Sequence, residues 1–232
     1  RLIMTTLSAK LQAVLARIAG AARKWGRDPA DIRLLAVSKS WPAATLREAA
    51  AAGQLAFGES YVQEGLQKVA ELRELGLEWH FIGPLQANKT RLVAETFAWV
   101  HSVDRLRIAE RLSRQRPPSL PAMAVCLQVN VSGETTKEGV LPADAPALAR
   151  AIAGLPHLQL RGLMTVPAPS SDFLEQRRSF RRLRELAELV RGEGLILDTL
   201  SMGMSNDLEA AIAEGATLVR VGTAIFGERS RA

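Results

Sequence analysis

Lys39 is the residue of this sequence best placed for covalent chemistry. The chain has six lysines. Lys10, Lys24 and Lys68 fall in amphipathic helical patterns, where a solvated position is expected, and Lys89 and Lys137 lie in polar, turn-like surroundings. Lys39 alone ends an apolar run, Arg33–Ser38, and alternation puts it on one face with Leu35 and Val37. Such an amine is either a strand-end lysine with its head in water or, if that face is an interior, a desolvated amine of lowered pKa. A neutral amine attacks aldehydes to form Schiff bases. Arg220 is similarly placed: Leu218, Arg220 and Gly222 share one face of the last apolar run, and Val219 and Val221 the other. A guanidinium on an interior face needs a partner, either a core carboxylate or a ligand. Ser201, Gly203, Gly222 and Thr223 lie at the ends of the last two runs, where small and hydroxyl residues let backbone N–H groups approach an anion.

Other constellations fail on their own chemistry. Gly83–Thr90 resembles a phosphate loop, but Asn88 stands where a second glycine belongs and Pro84 lacks an N–H. His80, His101 and His157 have no metal-ligand spacing with one another, so no metal site is expected. The single cysteine, Cys126, sits mid-strand and reads as a core thiol. No Ser-His-Asp signature is evident.

These residues need a scaffold that gathers strand ends. The 232 residues, 47% hydrophobic and 23% charged, suit a folded domain and exclude a largely disordered chain. After a helix at about 5–26, eight short apolar runs alternate with helical patterns. The runs are Arg33–Ser38, Leu55–Gly58, Trp79–Ile82, Trp99–Ser102, Ala124–Val131, Gln159–Val166, Asp198–Ser201 and Leu218–Gly222. Helix punctuation supports the division: Pro42 in a first turn, Asp172 with Glu175 as a capping box, and Gly215 after Leu208–Ala213. Eight such units predict a single (β/α)8 barrel over residues 1–232, whose chemistry sits at the C-terminal ends of the strands. The alternative, an open doubly wound sheet, lacks a glycine-rich turn after its first strand.

The net charge of +6 raises the question of a nucleic-acid partner. The densest basic stretch, Arg177, Arg178, Arg181, Arg182 and Arg184, lies in an apparent helix 172–191 with interleaved glutamates. A solvated outer face is expected there, and no aromatic residues alternate with the arginines to stack bases. No segment approaches ~18 uninterrupted apolar residues, so no membrane partner is expected. The N-terminal segment has no secretory apolar region, so a cytoplasmic location is expected. Met4 could be the natural start, with Arg1–Ile3 a leader or an added remnant.

The motifs, taken in order, resemble the pyridoxal phosphate homeostasis proteins. Leu34-Leu35-Ala36-Val37-Ser38-Lys39 is similar to that family's lysine strand, and Gly58-Glu59-Ser60-Tyr61-Val62-Gln63-Glu64 to its second motif. Trp79–Gln86 with Asn88-Lys89-Thr90 follows, then His101-Ser102-Val103-Asp104, Gln128–Val131 and Arg161–Thr165. Ser201-Met202-Gly203-Met204-Ser205 and Val219–Gly227 complete a match from about residue 10 to 228. The resemblance implies a barrel of PLP fold type III, like the alanine racemase N-terminal domain, carrying pyridoxal 5′-phosphate (PLP) as an internal aldimine on Lys39. It implies a phosphate held by Ser201, Gly222, Thr223 and neighbouring amides such as Met202, and Arg220 facing the pyridine nitrogen. Ser60 and Met164 are expected beside the cofactor. Ser60 stands where the family usually has Asn, which leaves a hydrogen bond to water. Lys137 matches a lysine to which relatives' handling of the cofactor is ascribed.

The resemblance also bears on turnover. PLP acts as an electron sink tuned at its ring nitrogen. Arg220 can only donate there, which weakens carbanion stabilisation. Alanine racemases draw a second acid/base tyrosine from a C-terminal β-domain, which this chain is expected to lack, and Tyr61 belongs to another motif. The expectation is a monomeric PLP carrier that buffers the free aldehyde and delivers it to PLP-dependent apo-enzymes. A low-activity amino-acid racemase is the alternative; a cofactor-free Schiff-base aldolase is the third.

Overall fold

A computed structural model of the chain describes residues 6–134 and 136–228. Its strands are β1 (Arg33–Val37), β2 (Ala56–Glu59), β3 (Glu78–Phe81), β4 (Trp99–Val103), β5 (Met123–Gln128), β6 (Leu158–Met164), β7 (Thr199–Ser201) and β8 (Leu218–Val221). All pair in parallel and in chain order, and β8 closes the barrel on β1, with Leu35 opposite Arg220. Each strand falls within three residues of its expected bounds, because short β-branched and aliphatic runs between turn residues admit little else.

The helices are α1 (Leu7–Lys24), α2 (Ala43–Ala51), α3 (Val62–Glu71), α4 (Thr90–Thr96), α5 (Leu106–Gln115), α6 (Ala145–Ala153), α7 (Phe173–Gly192), α8 (Leu208–Ala213) and α9 (Thr223–Phe226). Pro42 caps α2 rather than entering its first turn. Helix α1 begins where the Thr6 hydroxyl accepts from the Ala9 N–H, and it packs against α8 and α9. None of the described helices is long and apolar enough to cross a membrane.

Alternation along the strands makes two cores. Outward residues such as Leu34, Ala36, Phe57 and Phe81 bury against the helices. Inside the barrel, Trp99, Ala124, Cys126 and Met164 form a separate apolar cluster. Burial pushes the Cys126 thiol up to about 12, so it is an inert core group, as its mid-strand position implied. Gly162 of β6 is required by close approach: a Cβ there would lie 1.7 Å from the Thr199 carbonyl oxygen of β7.

The arginine-rich helix departs from expectation. Its stripe of Phe180, Leu183, Ala187 and Val190 is buried, and Asp172 Oδ1 accepts from the Glu175 N–H at 3.0 Å. The capping box is only half formed, because the Glu175 carboxylate accepts from the Ser170 hydroxyl instead. Arg177, Arg181 and Arg184 are not simply solvated: all three converge on Glu214, at the end of α8, whose side chain is fully buried. Much of the basic run thus fastens α7 to α8. Phe173, at the start of α7, stacks on Trp25 with ring centroids 6.4 Å apart.

Candidate functional site

A cavity of about 810 Å³ opens at the C-terminal mouth of the barrel. Its polar lining includes Lys39, Ser60, Gln176, Ser205, Asn206, Asp207, Arg220 and Thr223, with Gly222 beside them, and Val37, Ile82 and the segment around Val166–Ser171 form its walls. This volume falls in the range of roughly 300–1,000 Å³ typical of small-molecule sites. All eight strand ends lie at this mouth of the closed parallel barrel, and those of β4 and β5 do not line the cavity.

Lys39 lies two residues beyond the end of β1, half-buried, with its side chain on the cavity wall. The residues on either side of it are clamped from α3. Lys68 Nζ donates to the Ser38 carbonyl at 2.7 Å, to Glu59 Oε1 at 2.7 Å and to Glu64 Oε1 at 2.6 Å. The Ser38 hydroxyl also donates to Glu59, and the Ser40 N–H donates to Glu64. Ser40 sits at φ 67°, a left-handed conformation costly for a side-chain-bearing residue, and its bond to Glu64 holds it there. Lys68 therefore corrects the sequence reading: it is buried, not solvated, because two carboxylates and a carbonyl meet it beneath α3. Burial raises the Glu59 carboxyl above its ordinary value, against the opposing bonds from Lys68 and Ser38.

Arg220 also faces the cavity, although only 3% of it is exposed. Its Nη1 donates to Ser201 Oγ at 2.7 Å and its Nη2 to the Thr165 carbonyl at 2.9 Å. Burial lowers its pKa to about 10, which still leaves it cationic at neutral pH. Ser201 is fully buried beneath this guanidinium and does not line the cavity, and neither does Met202. Ser201 Oγ is engaged inside the barrel by Arg220 and His101, and the Met202 side chain packs into the outer core. The hydroxyl that reaches the cavity is Ser205, four residues later, which sequence reading passed over. Its Oγ accepts from the Ala224 N–H at 3.3 Å, tying the loop after β7 to the first turn of α9. Gly203 makes that loop possible: at φ 98° a Cβ would also lie 2.6 Å from the Ala211 methyl.

Of the remaining expected residues, Ser60 lines the cavity as anticipated. Met164 lies below it in the inner apolar cluster. Lys137 is outside the lining, in the loop after β5, with Nζ 3.8 Å from Glu134.

Residues 10–230 match the family model described as the alanine racemase N-terminal domain. A curated relative from Pseudomonas aeruginosa, named pyridoxal phosphate homeostasis protein, is 61% identical, covering 97% of both chains. The chain belongs to this family. The Escherichia coli K12 protein of the same name is 52% identical, over 97% of this chain and 98% of its own. Among solved structures, PipY of Synechococcus elongatus, determined with PLP bound, is 40% identical with a TM-score of 0.85, covering 96% of this chain and all of its own. Alanine racemase from Corynebacterium glutamicum shares the fold at 19% identity and a TM-score of 0.68, and 62% of its chain is covered.

The residues of this chain fit pyridoxal phosphate. A primary amine for the aldehyde, a guanidinium that can only donate and five hydroxyl side chains line one cavity, together with the Asp207 carboxylate. At Gly222 a Cβ would press within 3.1 Å of the Val37 carbonyl oxygen, so the cradle beside β1 is tight against a side chain.

Proposed function

We propose that this protein takes part in PLP homeostasis: it holds the cofactor covalently through Lys39 and buffers or delivers it, without robust turnover. The observation that carries the reading is that Lys39 from the first strand and Arg220 from the last face the same cavity. Bound PLP supplies an electron sink for amino-acid chemistry. Lys39 would hold its aldehyde carbon, and the clamp on Ser38 and Ser40 fixes where that amine emerges. Ser205, Gly222 and Thr223 would hold the phosphate, with Ser205 taking the role expected of Ser201. Arg220 would face the ring nitrogen. As a donor-only group it leaves that nitrogen unprotonated and the sink shallow, which suits storage better than catalysis. Tyr61 is exposed and outside the lining, so it is poorly placed to act as a second acid/base. The likeness to relatives named as homeostasis proteins supports the same reading.

The test is direct. Purified protein loaded with PLP is reduced with borohydride, digested and analysed by mass spectrometry; the mass increment is expected on Lys39 alone. Lys39→Ala should lose the visible chromophore. An increment on another lysine, with Lys39→Ala unaffected, overturns the assignment. Chiral analysis after incubation with several amino acids should show no turnover at ordinary enzyme rates.

A further inference from the structure

The interior of the barrel contains an unbroken polar column beneath Arg220. Ser201 Oγ lies 2.7 Å from Arg220 Nη1 and 2.8 Å from His101 Nδ1. His101 Nε2 lies 2.8 Å from His80 Nδ1, and His80 Nε2 lies 2.6 Å from Glu78 Oε1. Both imidazoles are fully buried, and His80 stacks on Trp99 at 5.1 Å. The column runs from the cavity to the opposite mouth of the barrel, where Arg33 pairs with Glu78.

The two ends fix the direction of every bond. The hydrogen bond from His80, with the neighbouring Arg33, holds the Glu78 carboxyl down to about 2, so it is ionised and can only accept. His80 must then carry its proton on Nε2. Burial lowers the pKa of both histidines, so each is neutral, and His80 Nδ1 is an acceptor. His101 accordingly donates from Nε2 and accepts at Nδ1, so the Ser201 hydroxyl donates to it. The serine oxygen then receives Arg220, which can only donate. One arrangement of tautomers satisfies all five groups, with each donor pointing away from the cavity.

We propose that His80 and His101 are positioning residues that hold Arg220 through Ser201, and that the column brings the influence of Glu78 to the floor of the cofactor cavity. Burying a cation without a counter-charge is costly. Here the hydrogen-bond partners of Arg220 are a hydroxyl and a carbonyl; the cavity carboxylate Asp207 acts on it through charge alone, and Glu78 stands three side chains away at the far end of the column. The column fixes the guanidinium in one rotamer and leaves its cavity-facing side to a ligand's ring. This inference rests on the PLP reading for what Arg220 meets, but not for the column itself.

The test compares wild type, His101→Leu and His101→Gln. Leucine removes both bonds; glutamine can present an oxygen to Ser201 and an amide N–H to His80. With PLP loaded, His101→Leu should move the apparent pKa of the visible chromophore by about one unit, as displacement of a neighbouring charge does. His101→Gln should return it most of the way, and Glu78→Gln should shift it in the same sense as leucine. A wild-type chromophore pKa in a folded His101→Leu overturns the proposal. Nitrogen-15 NMR of the unliganded protein should show both imidazoles neutral and protonated at Nε2, and an Nδ1-protonated tautomer at either also overturns it. If wild type takes up no PLP, the functional reading fails and the nitrogen spectra alone decide the column.

Discussion

Lys68→Met tests the clamp behind Lys39. The lysine side chain is 5% exposed and its partner Glu59 fully buried, so the substitution removes one member of a buried pair and strands the other. Such losses run to about 3–5 kcal/mol. The upper half of that range is expected here, because Glu59 Oε2 already lacks a hydrogen-bond partner and only the Ser38 hydroxyl would remain on its other oxygen. The stranded carboxylate can relieve the cost by taking a proton. Its folded-state pKa, already raised, would rise further, so the variant should lose more stability at pH 8 than at pH 5. Adding Glu59→Gln removes the buried charge and keeps an acceptor for Ser38; the double variant should recover at least about 2 kcal/mol of the loss. Urea unfolding of the four proteins at both pH values supplies the cycle, and PLP titration reports whether the amine still emerges correctly. A loss below about 1 kcal/mol at pH 8, or strict additivity of the two changes, refutes the reasoning.

Acidification should destabilise the protein early. The buried His80 and His101 have folded-state pKa values below the ordinary 6.5, so the unfolded chain binds protons first and stability falls as pH drops below that value. The slope approaches about 2.7 kcal/mol per pH unit for two such groups; chemical denaturation between pH 7 and 5 measures it, and His101→Gln should remove about half. Glu78 adds a later loss, as pH falls from 4.5 towards 2. Gly162→Ala should cost more than about 4 kcal/mol or yield insoluble protein, since its Cβ would meet the Thr199 backbone; a soluble variant of near-native melting temperature contradicts the register of β6 and β7. Ser60→Asn, which restores the family's usual side chain on the cavity wall, should tighten PLP binding about fivefold, the worth of one added hydrogen bond; unchanged affinity by fluorescence titration would show that Ser60 leaves no bond unmade.

The barrel could be read from the chain because its signals are local and repeat: a short apolar run, a turn, a helical stripe. The period-two face that put Lys39 and Arg220 inward also depends only on neighbouring residues, and both line the cavity. What escaped were partnerships between distant elements. Lys68 looks solvated because its own helix is amphipathic; Glu59, nine residues earlier on β2, makes it a buried ion. His80 and His101 have no metal-ligand spacing, yet adjacent parallel strands bring them ring to ring. Ser201 and Ser205 flank one turn, and only its path decides which hydroxyl reaches the cavity. Counting interior positions from the strand starts would have paired the histidines, but nothing local distinguishes the two serines.

The pairing of β1 with β8 has a consequence for biosynthesis. Lys39 leaves the ribosome long before Arg220, Gly222 and Thr223, and the cavity wall they share does not exist until the last strand docks on the first. An emerging chain therefore presents Lys39 before the opposite wall of its cavity exists. If PLP binds in this cavity as proposed, its capture belongs to the finished barrel, and its supply would not template the early folding there.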